Sequence, residues 1–318
     1  MKSAKIFSSF FIITLLVFSS CKEEMNLIDY SKPQSSSDTT YIISPVPSAQ
    51  QKQVLIEDLS GVRCPNCPTA GQIGNGIVAA NPGKVNIYTI YPNVQALNQL
   101  TAPVNNNGVI SKYELRTNIG GQILGSLTTP STLPMGYIDR KIYSPNIDWL
   151  NPKENWSGIV NAEIALATSV NIDLEKTYDA ASKNLSIIVT VTFTQSDTGS
   201  KYLSVVLLQD SIVDAQENSS GFDSTYLHRH VLMDMLTSAS GNKLNQTSAA
   251  TLTPGRVFKI TYQKTLDTRT NSIPSGVAGN GPPLPPPQWD PKHMIILAFV
   301  TDGTTKNVLQ SNEIDVMP

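Results

Sequence analysis

The chain has 318 residues, of which 40% are apolar and 15% charged, with 23 Lys and Arg against 25 Asp and Glu for a formal charge of −2. That balance is enough to build hydrophobic cores, and mild acidity with no basic stripe argues against nucleic acid as a partner. The length makes two domains the default expectation.

Lys2 and Lys5 precede an apolar run, Ile6 to Phe18, too short for a comfortable membrane span. Ser19 and Ser20 then lead into Cys21, which predicts a lipoprotein signal peptide over residues 1–20 with Cys21 acylated as the new N-terminus. An ordinary secretory signal or an anchor helix is the alternative, and Phe18 stands where Leu is more usual. Cleavage would remove Lys2 and Lys5 and take the charge from −2 to −4. A doubly acylated cysteine anchors stably, so the membrane is an expected partner through Cys21. Lys22-Glu23-Glu24 resembles the export signal that carries some lipoproteins to the outer face of the outer membrane, though any solvated tether can carry such an acidic patch. Residues 21–50, rich in Ser, Thr, Pro and Gln, read as a flexible tether. No later segment reaches eighteen uninterrupted apolar residues.

Residues 51–168 read as an α/β thioredoxin-like domain. Val54 to Leu59 has a buried-strand pattern and runs through Ser60-Gly61 into Cys64-Pro65-Asn66-Cys67-Pro68. Ala70, Ile73, Ile77 and Val78 follow at helical spacing until Asn81-Pro82-Gly83, and Val85 to Tyr91 is a second strand. Strand, C-x-x-C, helix, strand is the context that gives a bare C-x-x-C a redox meaning. A cysteine at a helix N-terminus meets unpaired N–H groups that stabilise its thiolate. In an oxidising compartment Cys64 and Cys67 are free to form a disulfide. Asp58, six residues before Cys64, occupies the place of the buried acid of thioredoxins. Pro134, in Ser131-Thr132-Leu133-Pro134-Met135-Gly136, is the candidate for the cis-proline loop, with a trans turn proline as the alternative. Arg63 replaces the usual aromatic residue before the first cysteine. The polar stretch between Tyr91 and Thr129 reads as an insertion with a short helix around Ile110 to Asn118. Lys153 to Ala167 fits a strand or a helix; the thioredoxin order favours a closing helix.

Residues 169–318 change texture to strands and turns. Val170 to Leu174, Leu185 to Phe193, Tyr202 to Leu208, Val257 to Tyr262 and Met294 to Val300 read as strands, punctuated by turn signals such as Thr253-Pro254-Gly255. Such strands suggest an all-β immunoglobulin-like sandwich domain. Within it, Pro282 to Pro287 should be a stiff loop that presents Trp289 as a possible contact residue, or an ordinary surface loop. His228 and His230, two apart on an extended segment, would face one side, but no cysteine nearby supports a metal site. No metal and no cofactor is expected.

Val54 to Gly61 followed by Cys64-Pro65-Asn66-Cys67-Pro68 resembles the opening of the outer-membrane-protein-28-related lipoproteins. His230-Val231-Leu232, Ile296 to Val300 and Asn307 to Gln310 resemble later parts of that family. The resemblance implies an outer-membrane lipoprotein with a thioredoxin-like domain and a β-rich domain, for which receptor and adhesin roles are proposals.

Two functions compete. The first is a lipid-anchored outer-membrane protein, on the cell surface by its export-like start, that binds an unknown protein or glycan and carries Cys64–Cys67 as a structural disulfide. The alternative, facing the periplasm, is a thiol–disulfide oxidoreductase in which Cys64 attacks, Cys67 resolves, Asp58 shuttles a proton and Pro134 positions the partner.

Overall fold

Alternating and continuous apolar runs dominate this chain, and both kinds become strands. The computed structural model describes residues 37–106, 108–143, 146, 148–244, 252–270, 273 and 284–317. Cys21, Lys22, Glu23, Glu24 and the signal peptide lie outside the described residues. Up to residue 165 the elements are β1 (Ser37–Ile42), β2 (Val54–Leu59), α1 (Cys67–Ala80), β3 (Val85–Ile90), α2 (Asn98–Thr101), β4 (Asn105–Asn106), β5 (Val109–Ile110), α3 (Asn118–Ser126), β6 (Met135–Ile138) and α4 (Trp156–Ile164). Then follow β7 (Val170–Asp179), β8 (Asn184–Phe193), β9 (Lys201–Gln209), β10 (Ile212–Asn218), β11 (Gly221–His228) and β12 (Val231–Met235). The last are β13 (Asn242–Lys243), β14 (Arg256–Thr265), β15 (Met294–Asp302) and β16 (Val308–Asp315).

The architecture is β-rich with mixed sheets and few helices. An eight-stranded sheet runs β16-β15-β9-β12-β3-β2-β6, with β13 also on β9. Within it β2 pairs β3 in parallel and β6 antiparallel, with α1 crossing over between β2 and β3. This strand–helix–strand–antiparallel strand order is followed by α4. A second sheet, β1-β14-β8-β7, packs a large apolar core against β9 and β15 through residues such as Val189, Phe193, Phe258, Val205 and Ile296. Every residue of β15 from Met294 to Thr301 is buried, which explains its continuous apolar run: both of its faces are covered.

Three expectations are altered. The eight-stranded sheet draws strands from both sides of the 168/169 boundary, because β12 pairs in parallel with β3 through Val231 and Thr89. The strands after residue 169 therefore share a sheet with β2, β3 and β6, and a separate immunoglobulin-like sandwich is not what the sheet order displays. The end of the 21–50 tether is ordered, since Ser37–Ile42 pairs with β14 and Gln50 bonds Asn171 and Asp173. Thr and Tyr suit an edge strand, which composition alone read as a spacer. The insertion's helix starts at Asn118 instead of ending there, because the Thr117 side chain caps it by accepting from Gly120 N–H. For Lys153 to Ala167 the helix prevails, with Trp156 and Val160 buried against β2 and β6. Gly136 on β6 makes room for Trp156: an added Cβ would lie 2.6 Å from the indole.

Candidate functional site

Strand β2 lies between β3 and the edge strand β6 and is buried at all six positions, so its alternating side chains serve two different cores. Leu55 and Leu59 pack on one face, Val54 and Ile56 on the other beneath α1 and α4. Glu57 belongs with the first set and Asp58 with the second. Leaving β2, the chain makes a tight passage at Gly61, where a Cβ would sit 2.3 Å from the Leu100 carbonyl oxygen. Only glycine fits there. The Arg63 N–H then donates to that same Leu100 carbonyl, so the insertion grips one side of the cysteine loop.

Cys64 and Cys67 form a disulfide with a Cα–Cα distance of 5.4 Å. Helix α1 begins at Cys67, with Pro68 in its first turn, where a missing N–H costs nothing. Cys64 thus lies three residues ahead of the helix, in a turn closed by Cys67 N–H to its carbonyl, and not at the helix N-terminus itself. The expectation that the helix terminus acts on Cys64 is corrected accordingly: Asn66 is the N-cap, and Pro65 disfavours a helical conformation at Cys64 before it. The Leu133–Pro134 peptide is cis, and Leu133 packs in the same apolar cluster as both cysteines.

Asp58, Ser60, Cys67, Tyr91, Tyr226 and His228 line a cavity of about 20 Å³, room for a single water. Asp58 is 2% exposed and its Oδ1 has no partner. Burial pushes its carboxyl up to about 7. His228 shares a 2.7 Å hydrogen bond with the Tyr91 hydroxyl through Nδ1, and the Tyr226 ring meets its imidazole edge to face at 4.8 Å. Burial drives this imidazole down to about 4, so it is neutral at physiological pH.

The disulfide is covered. Cys64 is 1% and Cys67 2% exposed. The β10–β11 hairpin, a two-stranded sheet of its own, lies over the cysteine loop. Glu217 N–H donates to Val62 O at 2.8 Å, and the Gln216 amide Nε2 lies 3.1 Å from Gly61 O and 3.2 Å from Cys64 O. Ile212 and Ala215 pack with Val62 and Tyr91 beneath it.

The structure thus brings Asp58, Cys67 and His228 together and separates His228 from His230. Strand β11 ends at His228, and His230 adopts a positive φ of 51° beside Asp210, so the two rings do not face one side. Trp289 is half-buried between two cores, with the Arg269 guanidinium 4.8 Å from its ring and Lys264 farther out. Sequence reasoning missed Tyr91, Gln216 and Tyr226. Gln216 sits 152 residues from Cys64, and nothing local marks a glutamine as a lid contact.

The family model described as outer membrane protein Omp28 matches residues 126–278, which bears out the resemblance read from the sequence over that stretch. HBP35 of Porphyromonas gingivalis superposes with a TM-score of 0.58 at 15% identity, covering 85% of this chain and 76% of that one. At that identity the likeness shows a shared fold. A domain of the outer membrane lipoprotein Omp28 from Porphyromonas gingivalis aligns at 14% identity and a TM-score of 0.29, over 48% of this chain and 90% of that one. No curated protein matches.

Proposed function

We propose that this chain is an outer-membrane lipoprotein, anchored through Cys21 and carried to the cell surface by Lys22-Glu23-Glu24, that acts by binding a protein or glycan. The observation that carries the binding reading is the shielding of the Cys64–Cys67 disulfide, 1% and 2% exposed beneath Gln216 and Glu217. Thiol–disulfide exchange needs a partner thiolate to reach a sulfur, and a sealed disulfide serves as a staple.

A second reading, a thiol–disulfide oxidoreductase, is favoured by the orphan Asp58 oxygen in the cavity that Cys67 lines. In it the Cys64 thiolate attacks a partner disulfide to give a mixed disulfide. Cys67, passing its proton to Asp58, then attacks Cys64 and releases the partner as a dithiol, with Pro134 beside the exchange.

Reduction of insulin by the lipid-free protein with a dithiol as electron source decides between them. The binding reading expects no turnover above buffer, with Cys64→Ala lowering stability by about 2 kcal/mol through loss of a short loop closure. Turnover abolished by Cys64→Ala, with mixed disulfides trapped by Cys67→Ala, would reverse the choice. The anchor is tested separately: a Cys21→Ala chain should leave the outer-membrane fraction, and normal fractionation of that variant would refute the lipid attachment.

A further inference from the structure

We propose that the distal half of the β10–β11 hairpin, Gln216 to Asp223, is a flap that must lift before the Cys64–Cys67 disulfide can react, so that the disulfide is a gated redox switch. This inference goes beyond both functional readings: with the flap down the disulfide is the shielded staple of the first, and with the flap lifted its sulfurs are open to the exchange that the second requires.

Access is the first argument. Two sulfur-bearing residues that are 1% and 2% exposed present no path for an attacking thiolate, which must approach a sulfur atom directly. Something has to move. The main sheet is not the mover, because β2, β3 and β6 are each hydrogen-bonded along their length and bury Tyr88 and Tyr137 completely. The hairpin belongs to neither large sheet.

A built-in bend is the second argument. The register of β10 against β11 slips between Asp214 and Gln216, a bulge that sets Ser224 and Thr225 of β11 opposite Ala215 of β10, and bulges bend the strand that carries them. The base of the hairpin is pinned on its near side. The Asp214 carboxylate accepts from the N–H groups of Lys112 and Tyr113, Ile212 and Ala215 pack beneath, and His228 bonds Tyr91. Beyond the bulge the grip is short. It consists of Glu217 N–H on Val62 O, the Gln216 amide on Gly61 O and Cys64 O, and one half-buried apolar side chain, Phe222, packed on the Val62–Tyr91 cluster. The turn at Ser219, Ser220 and Gly221 is exposed. Lifting the tip therefore exchanges three carbonyl contacts for water and peels a single half-buried side chain, Phe222, from the edge of its cluster, while the buried Ile212 and Ala215 stay in place.

The gated step balances with a dithiol reductant. One reductant thiolate attacks a cysteine sulfur, forming a mixed disulfide and freeing the other cysteine as a thiolate that takes a proton. The second reductant thiolate closes a cyclic disulfide and releases the first cysteine. Two electrons and two protons pass to the protein. Coupling is reciprocal. Separated thiols no longer hold the Cys64 carbonyl under Gln216, so the reduced protein favours the lifted flap.

Reduction of the oxidised protein by dithiothreitol tests this, followed by alkylation of the freed thiols. The native disulfide should react at least a hundredfold more slowly than in urea-unfolded protein. Gln216→Ala should speed native reduction roughly tenfold, the effect of losing about 1.4 kcal/mol of closing energy. Gln216→Glu, which keeps the shape but faces three carbonyls with a carboxylate at pH 8, should do the same. Hydrogen exchange separates flap motion from general loosening: the Glu217 amide should gain exposure in both variants while amides of β9 and β12 keep theirs. An unchanged reduction rate in both variants, a native rate equal to the unfolded one, or matched loosening of β9 and β12 would each overturn the flap. The assay follows this protein's own disulfide, so absence of insulin turnover leaves it intact.

Discussion

Replacing Arg140 with methionine is expected to destabilise the protein by about 3–5 kcal/mol, the cost of stranding a buried charge. Arg140 grips the Glu57 carboxylate with two hydrogen bonds of 2.7 Å, while the Tyr88 hydroxyl donates to the same carboxylate. Glu57 is wholly buried and Arg140 3% exposed. The guanidinium also lies 5.0 Å from the centre of the Phe299 ring. This network fastens β2, the strand that delivers the cysteine loop, to β3, to the end of β6 and to β15. Its removal should therefore loosen the join between the two regions of the sequence along with the site. Urea unfolding gives the measurement. Pairing Arg140→Met with Glu57→Leu should recover most of the loss, short by about 1–2 kcal/mol for the Tyr88 hydroxyl left without an acceptor. A single-variant cost under about 1 kcal/mol, or no recovery in the double variant, would show that the pair is not what holds β2.

That network was invisible in the sequence, and its invisibility has a physical reason. Glu57 stands inside an apolar run and Arg140 follows another, and 83 residues separate them. Their pairing becomes apparent only once β6 is laid antiparallel to β2. Short-range patterns fared better. Alternation marked β7 and β8, a continuous apolar run marked β15, and the C-x-x-C between strand and helix marked the β2–α1 passage. Asp58 was legible because its spacing from Cys64 is local. What period and spacing could not supply was the parallel joining of β12 to β3, which merges two textures into one sheet, and the hairpin that closes over the disulfide. His228 illustrates the same limit from the other side. Two histidines two residues apart suggest a shared face, but the positive φ at His230 ends the strand between those roles and sends His228 into the cavity with Asp58.

Opposite responses to pH are expected from the two titratable groups that line this cavity, with a large separation between their variants. Asp58 titrates near 4 in an unfolded chain and at about 7 when folded, because burial disfavours its charge. The folded state therefore prefers the protonated acid, and stability rises by about 4 kcal/mol as the pH falls from 8 to 4. His228 titrates at about 6.5 unfolded and about 4 folded. The folded state prefers the neutral ring, and stability falls by about 3 kcal/mol over the same descent. In the native protein the two nearly cancel. Asp58→Asn removes the rising contribution, so this variant should exceed the native protein in stability at pH 8 and lose about 3 kcal/mol on acidification. His228→Gln removes the falling one and should gain about 4 kcal/mol over the same interval. Taking each protein's difference between pH 8 and pH 4 against the native difference cancels background groups such as Glu313, which burial also pushes up to about 7. Identical pH differences in all three proteins would mean that neither group is desolvated in the folded state. A response in Asp58→Asn alone would leave the acid buried and place His228 in contact with solvent. The expected pair of opposite slopes would establish that both groups are desolvated in the cavity that Cys67 lines, where a proton released by a thiol has Asp58, and not His228, as its acceptor near neutral pH.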